Sequence, residues 1–502
     1  MNNQLLKSYT LFLFLILFFF SCSQDSNQFL PDLSENLIWE AEFNEIGIFS
    51  SPRAADLNGD GVQDLIFGAG KNELIATDHG VIALNGATGD TLWTLPARDQ
   101  IFGSAGIMDI TKNGEPDIVI GGRSAVLYAI HGQTGELLWE FLPDISFEEA
   151  RDLGYFNFYN PQFIPDQNGD GLQDILISNG GDVTISPDNP NRPSGKLMII
   201  SSSTGDLISE AHVPDGNEIY MSLVVSKFHA NDDELSIVYG TGGETFGGSL
   251  YRTTVSDLLN GNISNSVELA QSEHKGFIAP PVLVDLNFDG YLDIVVNAVE
   301  GMIMAISGRD NSVMWEQKIE NTEAYGSIAA GHFLDKERVD LFTTFSIGVW
   351  PVLLETEQLL IQGQTGEIIR RDTLGIFQTA TPVVADFNNN GYDEALISVN
   401  VGKEEFSGPR SYANMLVLND FHNNLTYPVT QLEDGANVAS TPWVGDLDNN
   451  GILDIVFARM ADNVNIFAMN GFTLSRIHSS LSYSNEVKWG AYMGSNYDGI
   501  YR

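Results

Sequence analysis

The sequence predicts an all-β chain folded as a single eight-bladed β-propeller with calcium-binding loops between the first and second strands of its blades. Three observations carry that prediction. A nine-residue acidic phrase recurs along the chain, a turn phrase ending in Trp recurs between its copies, and 49 Gly and 18 Pro punctuate short apolar runs. That punctuation disfavours a helix-rich scaffold. The 502 residues carry 67 Asp and Glu against 24 Lys and Arg, a formal charge of −43. Phosphate binding needs clustered Lys and Arg, so nucleic acid is excluded as a partner, as is electrostatic docking to an anionic membrane. A hydrophobic content of 43 % supplies a core, so the charge does not signal disorder.

The chain opens on Met1 to Thr10 with one charge, Lys7, and continues in an unbroken apolar run, Leu11 to Phe20. As a helix that run spans about 15 Å, too short for a bilayer core of about 30 Å. Residues 1–21 therefore read as an export signal. The run ends at Ser21-Cys22, and Cys22 is the single cysteine. The arrangement resembles a bacterial lipoprotein signal, with Phe19 where Leu is usual. That resemblance implies cleavage and lipidation at Cys22, and an ordinary signal peptide beside an incidental thiol is the alternative. Residues 22–36 are polar and read as a tether. The expected location is the bacterial cell envelope, as an outer-membrane lipoprotein that is periplasmic or surface-exposed, with the membrane met only through the lipid on Cys22. No disulfide can form within the chain.

Residues 37–480 are organised by the repeats. Asp56-Leu-Asn-Gly-Asp-Gly-Val-Gln-Asp64 is followed by an apolar run and Gly68, and the pattern returns at Asp109, Asp166, Asp285, Asp386 and Asp446. Weaker copies lie near Lys227 and at His332, giving eight units. Val81-Ile-Ala-Leu-Asn-Gly-Ala-Thr-Gly-Asp-Thr-Leu-Trp93 returns at 127–139 and more loosely at 197–209, 303–315 and 359–370. Each unit reads as four short strands, A to D, which in the first fall at about 49–55, 64–68, 80–85 and 90–96. Four-stranded units cannot bury both faces alone, so the ring must close. Eight blades are expected, with seven as the alternative. Leu37 to Phe43 reads as an orphan D strand that completes the last blade, and 481–502 as a closing segment.

The acidic units resemble FG-GAP repeats, as in the N-terminal propeller of integrin α chains. The Thr-Gly-x-x-x-Trp phrases are similar to the tryptophan-docking repeats of PQQ-type propellers. Together they span 37–480, and Trp489 to Gly499 resembles the closing segment of bacterial propellers of this mixed type. Many quinone-dependent dehydrogenases of that type carry an adjacent-cysteine disulfide, which one cysteine cannot supply.

Calcium takes six to eight oxygens from carboxylates, amides, backbone carbonyls and water. Asp56, Asn58 and Asp60 stand at positions 1, 3 and 5, the Val62 carbonyl at 7, and Asp64 closes the loop at 9. The set recurs as Asp166, Asn168, Asp170, Leu172 and Asp174, and as Asp285, Asn287, Asp289, Tyr291 and Asp293. It recurs again as Asp386, Asn388, Asn390, Tyr392 and Glu394, and as Asp446, Asp448, Asn450, Ile452 and Asp454. About five Ca2+ ions are expected, structural rather than catalytic because a reaction centre is built once. Thr111, Lys227, His229 and Arg338 degrade the other three loops. Turn chemistry alone would also favour Asp, Asn and Gly here.

Chain direction puts A–B and C–D turns on one face, called the bottom, and the longer B–C and D–A loops on the other. The elaborated top loops are 69–80, 142–158, 180–196, 240–249, 346–357 and 399–412. They carry Phe147, Arg151, Tyr155, Phe156, Arg192, Phe246, Trp350 and Arg410, types favoured at interfaces. An aromatic also stands seven residues before the loop start in five units: Phe49, Phe102, Tyr159, Tyr220 and Tyr325. These either line a channel mouth, where they could stack on sugars, or pack between blades. No nucleophile elbow, zinc motif or phosphate loop is present. The expectation is a monomeric, non-enzymatic module that binds protein or glycan through its top face. The alternatives are a calcium-dependent polysaccharide lyase, which needs a cleft of Arg151, Tyr155, Arg192 and Arg410, and an envelope-assembly scaffold.

Overall fold

The computed structural model describes residues 36–502 except 351, 404–409 and 484. The export signal, Cys22 and nearly all of the tether lie outside the described residues. Every strand belongs to the unit Asp32–Arg502.

Eight antiparallel sheets follow one another along the chain. Blade 1 is Arg53–Ala55, Asp64–Gly68, Thr77–Leu84 and Thr91–Ala97, paired in that order. Blades 2 to 7 repeat the meander over 106–140, 157–212, 224–272, 282–318, 322–373 and 383–434. Blade 8 takes Trp443–Gly445, Ile452–Met460 and Gly471–Ser482 from the end of the chain, and its outer strand is Leu37–Asn44 from the start. The orphan strand thus completes the last blade, with Asn44 opposite Gly471 and Phe43 stacked on Phe472 at 4.7 Å. Pairing the first strand with the last ties the two ends of the chain into one blade.

The second strands explain the unbroken apolar runs. Asp64–Gly68, Asp117–Gly121 and Asp293–Ala298 are buried at every position, since both faces of each blade are covered by neighbours. Outer strands are more exposed: in Thr91–Ala97 only Trp93 and Ala97 are buried. The first strands are shorter than the sequence predicted, three residues in blade 1, and Phe49 and Ser51 just before that strand line the channel-mouth cavity instead. Two expected top loops, 346–357 and 399–412, are largely extensions of strands: Asp340–Val349 with Val352–Gln362, and Glu394–Lys403 with Ser411–Asp420.

The Trp phrase is a blade-to-blade dock. Trp39 donates to Gly86 O at 2.8 Å, Trp93 to Gly132 O at 2.6 Å, Trp139 to Ser202 O at 2.7 Å and Trp315 to Gly363 O at 2.7 Å. Each partner lies in the C–D turn of the next blade. The Gly of that turn has positive φ, 72° at Gly135, and a Cβ there would sit 2.6 Å from Trp93. Blade 4 has no such Trp, and Arg252 substitutes, donating to Gly308 O at 2.8 Å.

The closing segment runs across the inner strands. Trp489 O accepts from Val384 N, Gly490 O from Val444 N and Gly499 O from Leu283 N, at 2.6–2.9 Å. Arg53, 1 % exposed, donates to Tyr492 O at 2.6 Å and lies 3.8 Å over the Tyr497 ring. One segment thereby joins blades 1, 5, 7 and 8 from inside the channel.

Candidate functional site

The residue seven positions before each loop start comes to a single place. Phe49, Phe102, Tyr159, Tyr220, Ile278, Tyr325, Thr379 and Ala439, one from each blade, line a cavity of about 540 Å³ at the channel mouth. Tyr492 of the closing segment also lines it. All five aromatics named from sequence are therefore at the mouth, and neighbours also touch: Phe102 meets Tyr159 edge-on at 5.4 Å, and Tyr159 meets Tyr220 at 6.4 Å. Packing and lining are not alternatives here.

Directly beneath runs a collar of hydrogen bonds that sequence reasoning missed. Thr441 N donates to Ser51 Oγ, Ser51 N to Ser104 Oγ, Ser104 N to Asn160 Oδ1 and Asn160 N to Ser222 Oγ, at 2.8–3.4 Å. Ser327 N and Thr381 N continue it to Thr381 Oγ1 and Thr441 Oγ1 at 3.0 and 3.1 Å. The signal was available, since Ser or Thr stands five positions before the loop in six units.

Charged side chains rim the mouth. Arg123 pairs with Glu73 at 2.9 Å and lies 5.3 Å over Phe102. Arg192 pairs with Glu218, both almost wholly buried, and donates to Tyr220 Oη at 2.5 Å. Burial raises the Tyr220 and Tyr159 phenols far above their ordinary range, so both stay neutral donors. A second cavity of about 670 Å³ opens beside the first, sharing Phe49, Glu73, Arg123, Glu244 and Tyr325 with it.

The four residues a lyase cleft would need do not converge. Arg192 lines the central cavity, whereas Arg151 lines a separate one with Phe147 on the short helix Phe147–Asp152. Tyr155 packs edge-on against Phe141 at 5.2 Å, Phe156 is buried, and Arg410 lies 5.9 Å from the Tyr412 ring. Trp350 packs between Tyr325 and Phe467, at 5.4 and 5.2 Å. Phe246 borders another pocket, with Tyr251 and Glu268.

The acidic loops lie at the opposite end, against the C–D turns. Their side chains first cap their own backbone. Asp56 accepts from Gly59 N and Gly61 N at 2.8 and 3.0 Å, Asn58 from Asp60 N and Asp60 from Val62 N, both at 2.8 Å. The closing carboxylate reaches back: Asp64, Asp174, Asp293, Glu394 and Asp454 each accept the amide of the residue after position 1, at 2.6–3.1 Å. Asp64 also takes Gly86 N at 3.0 Å and Asp117 takes Gly132 N at 3.2 Å. Those same peptides accept from Trp39 and Trp93, so acidic loop and Trp phrase clamp one turn from two sides.

Charge distinguishes the loops. Among the described residues, Asp64, Asp174, Asp293 and Glu394 have no Lys or Arg within ion-pair distance. Burial raises all four, Asp293 up to about 6 and Glu394, with Asp420 as the second cause, up to about 9. The exposed Asp60, Asp166 and Asp170 are held below the usual range, chiefly by donors at Val62, Gly171 and Ser203. Asp174 Oδ1 is buried without a hydrogen-bond partner. Only Asp446, Asp448 and Asp454 bring three carboxylates within 4.8 Å of one another among the described residues. Arg476, 1 % exposed, is already there, at 2.8 Å from both Asp448 and Asp454. Arg338 does the same for Asp340 in the degraded sixth loop, at 2.9 Å.

No protein-family model matches the chain. The solved structures settle the architecture. The fold is an eight-bladed β-propeller. The quinohemoprotein alcohol dehydrogenase of Comamonas testosteroni aligns with a TM-score of 0.55 and 11 % identity, over 90 % of this chain and 78 % of that one. Saccharomyces cerevisiae Sqt1 aligns at 0.54 and 9 %, over 89 % and 99 %. At such identities the likeness is one of fold alone. By sequence, the chain is similar to protein FAM234A of Bos taurus, 27 % identical over 157 residues. That match spans 28 % of this chain and 27 % of the bovine protein's length. Gallus gallus FAM234B matches at 27 % identity over 139 residues, 26 % of this chain and 21 % of that protein. The docking residues Trp39, Trp93, Trp139 and Trp315 are spent between blades, and none lines the channel-mouth cavity.

Proposed function

We propose that the protein is a non-enzymatic binding module of the bacterial cell envelope, anchored by lipid on Cys22, that engages a protein or glycan ligand at the top of its propeller. The observation that carries this reading is the convergence of five aromatics from five blades on one mouth. Aromatic faces beside fixed hydrogen-bond donors are the composition of small-ligand and glycan sites. The charged groups around them are mostly paired and buried, which suits recognition more than proton transfer.

The acidic loops are structural calcium sites of FG-GAP type in this reading. Loops 56–64, 166–174, 285–293 and 386–394 hold calcium, for their closing carboxylates are buried, lack a cation, and include the orphaned Asp174 Oδ1. In 446–454 Arg476 supplies the positive charge instead. Calcium orders the bottom turns and leaves the top face to the ligand.

The test is a glycan array and a pull-down from envelope extract, using protein lacking residues 1–22, with and without calcium. Specific capture that Tyr159→Ala and Tyr220→Ala both abolish, with melting unchanged, supports the reading. Capture that survives both substitutions moves the binding surface elsewhere. Loss of fatty-acid labelling in Cys22→Ser tests the anchor.

A further inference from the structure

Three carboxylates beside the channel mouth each hold a cation, and two of those cations lie over aromatic rings. Glu73 holds Arg123, which lies over Phe102. Glu218 holds Arg192, which lies 5.8 Å over Tyr220. Glu323 holds Lys275 and accepts from Tyr325 Oη at 2.5 Å. A fourth carboxylate, Glu244, holds no cation: it lines both cavities, as do the aromatic residues Phe49 and Tyr325, and makes no hydrogen bond or ion pair among the described residues.

Glu244 is fixed in place. It sits on the tight connection between Ser236–Gly240 and Gly248–Thr254, where Gly243 N donates to Phe246 O at 3.0 Å. Gly276 N donates to Gly243 O at 2.8 Å, and Thr245 Oγ1 to Pro187 O at 2.6 Å. Of the nearby cations, Arg192 is taken by Glu218 and Lys275 by Glu323. Burial, and then the Glu323 charge, raise its carboxyl.

We propose that the channel mouth is a site for a small organic ammonium ion, held by the Glu244 carboxylate against the faces of Phe49 and Tyr325. A cation over an aromatic face and beside an unpaired carboxylate gains from both, and the gain rises as water is excluded. The cavity volume falls within the range of small-molecule sites, about 300–1,000 Å³. The net charge of −43 draws cations toward the molecule. The inference rests on the top face being the binding face, and it names the chemistry that face accepts.

The experiment is calorimetric titration of the full chain, in non-ionic detergent, with choline and with its neutral isostere 3,3-dimethylbutanol. The expected result is saturable choline binding, at least tenfold weaker for the isostere and for Glu244→Gln, whose melting temperature stays at the parent value. Equal binding of choline and isostere, or an unchanged affinity in Glu244→Gln, overturns the ammonium site while leaving the cavity as a binding site. Absence of choline binding overturns it too, and the array and pull-down decide separately whether the top face binds anything.

Discussion

At the scale of single residues, Arg476 shows how one side chain can decide a loop's chemistry. Its guanidinium reaches Asp454, Asp448 and the Gly86 carbonyl, each at 2.8 Å, and it is almost wholly buried. The two carboxylates it pairs with belong to the one trio that comes within 4.8 Å among the described residues, with Asp446 as the third member. In Arg476→Met those carboxylates keep their positions and lose their cation, so unfolding in chelator should become easier by about 3–5 kcal/mol. Adding calcium should restore much of that loss in the variant, because a divalent ion can then occupy the vacated centre. The measurement is urea denaturation with and without calcium. An equal deficit in both conditions means that the loop cannot take a metal even when freed. Sequence alone did not reveal this arginine. It lies 22 residues after Asp454, on a different strand, and only the register that sets Asp454 opposite His478 brings it to the loop.

At the scale of elements, acidic loop, C–D turn and Trp dock form one joint. The turn peptide at Gly132 gives its amide to Asp117 and its carbonyl to Trp93 of the preceding blade. Gly135 in the same turn has positive φ and lies under the Trp93 ring, whereas Gly114 has φ 90° with open space around it. Gly114→Ala should therefore cost only the left-handed backbone penalty, about 1–2 kcal/mol. Gly135→Ala should cost that and a further penalty of about 1–3 kcal/mol for the crowded ring. Denaturation midpoints of the two variants separate the contributions, and equal losses would mean that the dock carries no strain. Trp39→Ala cuts the same joint where the ring closes, and the expected loss there is about 3–5 kcal/mol. These joints were legible in the sequence because turn and Trp recur together. So was the latch, since Leu37 to Phe43 repeats the D-strand phrase with no blade before it. The Ser and Thr collar was not, because its bonds run between blades and its residues are compositionally ordinary. The strand extensions around 346–357 and 399–412 escaped for a related reason. Length alone cannot separate a loop from a ribbon whose strands simply continue.

At the scale of the whole molecule, the charge of −43 is the quantity the fold has to accommodate. The ligand positions of the five intact acidic loops hold 14 of the 67 acidic residues. Like charges gathered into turns at one end of a closed ring repel, and screening by monovalent salt weakens that repulsion without removing the burial cost of Asp293 or Glu394. A bound divalent ion addresses both, so calcium and salt should stabilise differently. With calcium a hundredfold above its dissociation constant, each site adds about 2.7 kcal/mol. Four sites together should raise the melting temperature by on the order of 10 °C in a ring of this size. Differential scanning calorimetry in excess chelator, in calcium, in magnesium and in high sodium chloride separates the terms. A large shift with calcium, a smaller one with magnesium and little with sodium places the metal in the loops, since calcium tolerates irregular oxygen sets better than magnesium does. If sodium chloride restores stability as well as calcium does, the acidic loops are turns under general electrostatic strain. If chelator leaves the melt unchanged, they are turns and nothing more, and the ring is held by its latch, its Trp docks and its central segment alone.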